Sequence, residues 1–195
     1  MTAACYPVFL KLAGLRVVVV GAGPVAASKL DGLVAAGARI TVVAPQIDPT
    51  IRPRVETVLE REFIASDLDG AYWVVAAAPP EVNREVATAA AARGLFVNAV
   101  DDKDSATAFL GGVVRRGEVE IAISTGGVAP ALAGLLREAL EAMLPIDLER
   151  WIDVAIATRA EWKAAKVPMA ERRPLLLRAL AELYAARAPD PGATS

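Results

Sequence analysis

Four short apolar runs divide the first hundred residues: 16–20, 40–43, 72–77 and 95–100. Each is rich in valine and nearly continuous in apolar character. A strand reads this way when helices cover both faces of a parallel sheet. Helical periodicity fills two of the gaps. Residues 25–36 set Val25, Leu30, Leu33 and Val34 toward one face and stop at Gly37, a residue suited to ending a helix. Residues 80–93 are alanine-rich, open on Pro80 and close before Gly94, the usual asymmetry of helix ends. Segment 47–68 is less regular and holds a short strand near 57–59. Strand and helix in alternation predict an α/β doubly wound parallel sheet.

The pattern changes after Asp104. Runs 109–114 and 119–124 flank Arg115-Arg116-Gly117-Glu118, which reads as a hairpin with a glycine turn. Thr125-Gly126-Gly127 then leads into an amphipathic stretch from Pro130 to Met143, broken by Pro145. Further helices are expected over 147–166 and 171–187, with Pro168 between them, and residues 189–195 read as a disordered tail. The expected division is a first domain over 1–110, a small α+β region over 111–144 and a helical region over 145–188.

Composition narrows the function. Hydrophobic residues make up 55% of the 195, ample for a core, yet no run is long enough to span a bilayer. No basic segment followed by a long apolar stretch opens the chain, so no export signal is read there. The single cysteine, Cys5, cannot close an internal disulfide and argues against a thiolate metal site. These features predict a cytoplasmic protein without a membrane partner. The formal charge of −2 gives no reason to expect nucleic acid. Histidine is absent altogether. Acid–base chemistry therefore falls to Asp, Glu, Lys, Tyr or water, and a His-based triad or metal site is excluded.

The strongest motif is Gly21-Ala22-Gly23-Pro24-Val25-Ala26, directly after the first valine run and at the start of a helix. In that setting G-x-G-x-x-A is a dinucleotide fingerprint, and the domain reads as Rossmann-type. Gly21 allows the tight turn, Gly23 lets backbone approach the pyrophosphate, and Ala26 lets helix and strand pack closely. The alternative is a tight turn in a fold that has lost its cofactor. A carboxylate for the adenosine ribose is expected at the end of the second strand. The chain reads Ala44-Pro45-Gln46 there, with no carboxylate before Asp48, so Gln46 or backbone groups would serve instead. Arg52 is near, but no basic residue stands at the strand end itself for a 2′-phosphate. The reading leans to NAD.

Asn98-Ala99-Val100-Asp101-Asp102 ends the last strand of the sheet, the edge where open α/β sheets bind ligands. On position alone, Asp101 reads equally as a general base or as a turn residue. Ser124-Thr125-Gly126-Gly127 joins a strand to a helix, either as a backbone cradle for an anion or as a loop with a hydroxyl cap. Arg115, Arg116 and Arg137 either hold anionic groups or face solvent.

These motifs, in this order, carry a resemblance. Tyr6-Pro7-Val8-Phe9-Leu10, the Gly21 loop with Lys29, Glu81-Val82-Asn83, Asn98 to Asp102, Phe109, Ser124 to Gly127 and Pro130 follow one another at characteristic spacing. The chain resembles the precorrin-2 dehydrogenase family of siroheme biosynthesis, which includes the N-terminal module of siroheme synthase. The resemblance implies a homodimer, with 111–144 as its central dimerisation region, that oxidises precorrin-2 to sirohydrochlorin with NAD. It implies that Asp101 is the essential aspartate and that Pro24, Val25, Pro45 and Gln46 meet NAD largely through backbone. Asn98, Arg115, Arg116, Ser124, Thr125 and Gly126 are the residues expected at the substrate. Ser28 stands where the family usually has arginine, and Ala77-Ala78-Pro79 replaces more polar residues. No methyltransferase domain follows, so the reading is the stand-alone form. Some members also insert Fe²⁺ or Co²⁺ into sirohydrochlorin. A different NAD-dependent dehydrogenase, or a non-catalytic NAD- or tetrapyrrole-binding protein, are the competing readings.

Overall fold

The structure, a computed structural model, describes residues 5–185. The expected helix end at Arg187 and the tail at 189–195 lie outside the described residues. No described helix is long and apolar enough to cross a membrane. The chain divides into two compact units. The first comprises residues up to Leu110 together with Gly126–Val128, and the second comprises Gly111–Thr125 and everything from Ala129 onward.

The first unit is built on a five-stranded, wholly parallel sheet. Its strands are β1 (Arg16–Val20), β2 (Arg39–Val43), β3 (Thr57–Leu59), β4 (Trp73–Ala76) and β5 (Val97–Ala99). They lie in the order β3-β2-β1-β4-β5. The order reverses between β1 and β4, and that reversal opens a crevice at the carboxyl ends of the strands. Valines alternate across the central strand. Val17 and Val19 pack with Leu30 and Leu33 of α1 (Pro24–Ala35), while Val18 and Val20 pack with Val86, Ala89 and Ala90 of α2 (Pro80–Ala91). All four valines are buried, each worth roughly 1.5–3 kcal/mol of transfer free energy. This two-sided burial is why the strands carry no polar alternation.

The buried stripe of α1 differs from the expected one. Ala26, Leu30 and Leu33 face the sheet, at i, i+4 and i+7, whereas Val25 and Val34 are exposed. The small Ala26 takes the innermost place because the helix must approach β1 closely there. Segment 47–68 contains the expected β3 and two 3₁₀ turns, Arg52–Arg54 and Ala65–Leu68.

The second unit pairs β6 (Gly112–Arg116) with β7 (Val119–Ile123) in an antiparallel hairpin. The turn is only Gly117-Glu118, so Arg115 and Arg116 belong to β6 and not to the turn expected over 115–118. Two constraints select Gly117. Its φ is +54°, and a Cβ there would meet the Glu149 Cγ at 2.7 Å. Helix α3 (Pro130–Met143) packs on β6 through Ala133 and the bare Gly112. Helices α4 (Leu148–Ala164) and α5 (Met169–Ala185) complete the unit. The Trp151 Nε1–H donates to the Tyr184 hydroxyl at 2.7 Å, and that hydroxyl donates to Asp147 at 3.1 Å, tying the two helices together. The hairpin, α3 and the C-terminal helices thus form one unit, where two regions were expected from the punctuation by Pro145. Contacts such as Glu149 against Gly117 join them across that proline.

Candidate active site

The loop after β1 carries two glycines with different physical reasons. Gly21 has φ +102° and donates to the Val43 carbonyl at 2.9 Å. A Cβ at Gly21 would stand 2.1 Å from the Ala77 carbonyl oxygen, so β4 leaves no room for a side chain. Gly23, the N-cap of α1, has an ordinary φ of −89°, and a Cβ there would meet nothing within 4 Å. Neither conformation nor packing inside the chain requires glycine at Gly23. A bare backbone facing open space at a helix start fits a bound pyrophosphate. Pro24 occupies the first helical position, no side chain caps the helix, and its first turn holds no acidic residue. The N–H groups and the positive end of the helix dipole are left for an anion.

Beyond β2, Ala44 is buried and donates to the Leu59 carbonyl at 3.2 Å, while Pro45 and Gln46 are exposed. The Asp48 N–H donates to the Ala22 carbonyl at 3.1 Å, folding this turn back on the nucleotide loop. The Asp48 carboxylate accepts the Thr50 hydroxyl at 2.7 Å and the Thr50 N–H at 2.8 Å. Those bonds, the hydroxyl's first, hold its carboxyl below the usual range. Asp48 closes its own turn.

At the β1–β4 reversal lies a cavity of about 270 Å³ whose lining includes Val25, Ala77, Ala78, Asn83, Val100 and Asp101. Asp101 takes a left-handed backbone, φ +57°, that non-glycine residues adopt uncommonly. Its side chain is exposed and makes no hydrogen bond or ion pair among the described residues. The neighbouring Asp102 does the turn work. Its Oδ1 accepts the Ser105 N–H at 3.1 Å and its carbonyl accepts the Ala106 N–H at 3.1 Å. Hydrogen bonding from Ser105, side chain first, holds the Asp102 carboxyl below the usual range. Both adjacent aspartates line the cavity, Asp102 engaged by Ser105 and Asp101 without a partner among the described residues.

Asn83 holds the cavity's walls together. It is 2% exposed, and its Oδ1 accepts the Ala78 N–H at 3.0 Å. Its Nδ2 points to the Val100 carbonyl at a long 3.5 Å. It therefore links the loop after β4 to the residue preceding Asp101. Ala77 donates to the Val20 carbonyl at 2.8 Å, so the Ala77-Ala78 segment offers backbone and methyl groups only. Asn98 is also buried. Its Nδ2 donates to the Ala108 carbonyl at 3.0 Å, while its buried Oδ1 has no partner among the described residues.

The remaining residues expected at the substrate lie on β6 and in the loop that follows β7. Arg115 pairs with Glu120 directly across the hairpin at 2.7 Å. Arg116 buries its Nε without an acceptor among the described residues. Arg137 is paired with Glu138 and Glu141 along α3. Thr125 Oγ1 accepts the Ala129 N–H at 3.2 Å, a bond within the loop. Ala129 is the N-cap of α3 and no side chain caps that helix, so the hydroxyl cap expected as one alternative is not formed. Gly126 and Gly127 have φ +61° and +73°, and a Cβ on Gly127 would press to 2.9 Å from the Phe109 ring.

Residues 8–112 match the family described as "Putative NAD(P)-binding", and residues 116–143 match that described as "Sirohaem biosynthesis protein central". The chain belongs to the NAD(P)-binding family found in siroheme synthases. Among relatives, Siroheme synthase 1 of Aeromonas salmonicida is 41% identical over 172 residues, covering 86% of this chain and 37% of its own length. The siroheme synthase of Pseudomonas entomophila is 39% identical over the same shares of the two chains. The chain thus spans little more than a third of the siroheme synthases it matches. In this family of folds, the solved structure of SirC, a precorrin-2 dehydrogenase, superposes with a TM-score of 0.69 at 25% identity. That likeness covers 89% of this chain and 88% of the SirC chain.

Two residues of this family member escaped functional assignment from sequence. Asn83 stood in the Glu81-Val82-Asn83 motif without a role, and a buried asparagine in an otherwise alanine-rich helix was the available signal. Asp102 carried no role in the sequence, where the resemblance singled out Asp101, and only the fold shows Ser105 engaging it.

Proposed function

We propose that this protein oxidises precorrin-2 to sirohydrochlorin with NAD as hydride acceptor, and that Asp101 takes the accompanying proton. The observation that carries this reading is the meeting of Val25, at the head of the bare nucleotide loop, with the unpartnered Asp101 carboxylate on one cavity. The likeness to SirC over 89% of the chain supports the substrate. NAD, when bound, supplies the two-electron sink of the reaction. Gly21, Gly23 and the first N–H groups of α1 hold its pyrophosphate, with Pro24, Val25 and Ala26 shaping the approach. Pro45 and Gln46 flank the adenosine.

Oxidation removes a hydride and a proton from the substrate, so the protein needs a positioned base. A carboxylate without a competing partner has its lone pairs available, and the left-handed backbone aims it independently of the Asp102 turn. Asn83 positions that backbone through Val100. Precorrin-2 bears eight carboxylate side chains, and arginine is the side chain best matched to them. Arg116, whose Nε lacks an acceptor among the described residues, is assigned to that task together with Arg115. Ser124, Thr125 and Gly126 add hydroxyl and backbone donors, and Asn98 acts by holding the Ala108 segment.

The protein works as a homodimer in this reading. Helix α3 leaves Leu132, Leu135, Leu136 and Met143 exposed along one stripe, roughly a quarter turn from the Ala133 face that covers β6. A chain with one cysteine that draws on NAD fits the cytoplasm. Anaerobic incubation with precorrin-2 and NAD tests the reaction, with absorbance reporting sirohydrochlorin and NADH together. Both are expected to appear in equal amounts. NAD binding without any turnover of precorrin-2 would overturn the assignment.

A further inference from the structure

The dinucleotide reading leaves the adenosine ribose without a carboxylate at the end of β2, where one is ordinarily found. Asp48 gives its Oδ1 to the Thr50 turn, and its Oδ2, which makes no hydrogen bond among the described residues, is the rival carboxylate. The neighbouring strand supplies another candidate. Val43 and Leu59 are register partners, and Ala44 extends the ladder by donating to the Leu59 carbonyl at 3.2 Å. Glu60 is therefore the first residue past β3, level with Ala44 at the carboxyl edge. Parallel strands lie about 4.8 Å apart, so a side chain leaving β3 there reaches the same edge as one leaving β2.

Glu60 is held in place. Arg52, from the 3₁₀ turn that follows the Asp48 loop, donates through Nη2 to Glu60 Oε2. Glu60 Oε1 makes no hydrogen bond among the described residues. Both side chains are about half exposed, at 51% and 53%. The other arginine of that turn, Arg54, is turned away, onto Asp31 and the Ala27 carbonyl of α1. Arg52 is the cation that the sequence analysis noted near this edge, and in the structure it is paired with an anion.

The geometry points to Glu60 as the residue that reads the adenosine ribose, in place of the missing β2 carboxylate, and sets a preference for NAD over NADP. The free Oε1 accepts a ribose hydroxyl, while Arg52 fixes the carboxylate. A 2′-phosphate would bring two negative charges against Glu60 and would find Arg52 already engaged. The inference rests on the dinucleotide reading of the Gly21 loop and not on the identity of the substrate.

Calorimetric titration of the full chain with NAD and with NADP tests it without any turnover. The parent is expected to bind NAD more tightly. Glu60→Gln is expected to weaken NAD about tenfold, the order of one charge-assisted hydrogen bond, and to strengthen NADP by a similar factor as Arg52 is released. Arg52→Gln is expected to weaken NAD less than Glu60→Gln does and to gain nothing for NADP, since the cation is gone. Circular dichroism checks that each variant is folded, and substitution at a half-exposed pair leaves the core intact. Parent binding to NAD with both affinities unchanged in Glu60→Gln would overturn the assignment of Glu60 alone. Loss of NAD affinity in Asp48→Asn and not in Glu60→Gln would also overturn it. A parent that prefers NADP would overturn it too, and a parent that binds neither dinucleotide would sink it together with the dinucleotide reading.

Discussion

Gly21 and Gly23 stand two residues apart in one loop, and glycine answers a different demand at each. At Gly21 the demand is internal, since a methyl group would collide with the Ala77 carbonyl and the backbone is left-handed. Gly21→Ala is expected to destabilise the fold by about 2–4 kcal/mol, combining backbone strain with overpacking. At Gly23 the chain itself makes no demand among the described residues, and the proposed one is the bound pyrophosphate. Gly23→Ala is expected to move stability by less than about 1 kcal/mol while weakening NAD at least about tenfold. Urea unfolding and an NAD titration on the two variants separate the cases. Equal stability of both, or unchanged NAD affinity in Gly23→Ala, would contradict the assignment. The residue scale is also where the sequence was least informative about chemistry. Asp101 and Asp102 are the same residue type side by side, and only the fold shows that Ser105 engages one of them. Asn83 is similar, because its partners Ala78 and Val100 come from two loops that the sheet brings together.

At the scale of elements, the strands were legible because parallel strands buried on both faces must be continuously apolar, and the valine runs are. Their ends were less so. Tyr72 and Phe96 extend the apolar runs yet are 63% and 62% exposed, just outside β4 and β5. The face of α1 was misread because periodicity weighs large apolar residues, whereas the closest helix–strand contact calls for the small Ala26. The hairpin turn is shorter than expected because Arg115 and Arg116 stay in the ladder, opposite Glu120 and Val119.

One element contact makes stability depend on pH. Asp67, in the 3₁₀ turn before β4, is 5% exposed and paired with Arg61. Burial pushes its carboxyl up, but the Arg61 guanidinium, the Ile64 N–H and the charges of Arg61 and Arg16 together hold it below the usual range. A depressed carboxyl contributes stability that is fully present above its unfolded value, about 3.9, and is lost as pH falls through the folded value. The urea midpoint is therefore expected to drop below about pH 4. Asp67→Asn is expected to be less stable than the parent at neutral pH and to show a shallower acid limb. Parallel acid limbs in the two proteins would contradict this account.

At the scale of the whole molecule, two compact units each carry part of the residue set assigned to the reaction. The division into a sheet domain and a later region was legible from the change of pattern after Asp104. The return of Gly126–Val128 to the first unit was not, because nothing local marks Gly127 as the seat of the Phe109 ring. The exposed stripe on α3 carries the expectation of a dimer. Sedimentation equilibrium should give twice the chain mass of 20.4 kDa for the parent and the single mass for Leu135→Glu. A monomeric parent would contradict the homodimer.

The central claim joins a dinucleotide loop and an unpartnered aspartate in one oxidation. Its most direct measurement is the anaerobic rate of NADH formation from precorrin-2 by the parent and by Asp101→Asn, with NAD affinity measured on both. Asparagine tolerates the left-handed backbone, so the cavity is preserved while the base is removed. The account predicts turnover by the parent and a loss of about 10²–10⁴-fold in the variant, with NAD binding unchanged. Equal rates in the two proteins would show that the proton goes elsewhere and would contradict the role given to Asp101.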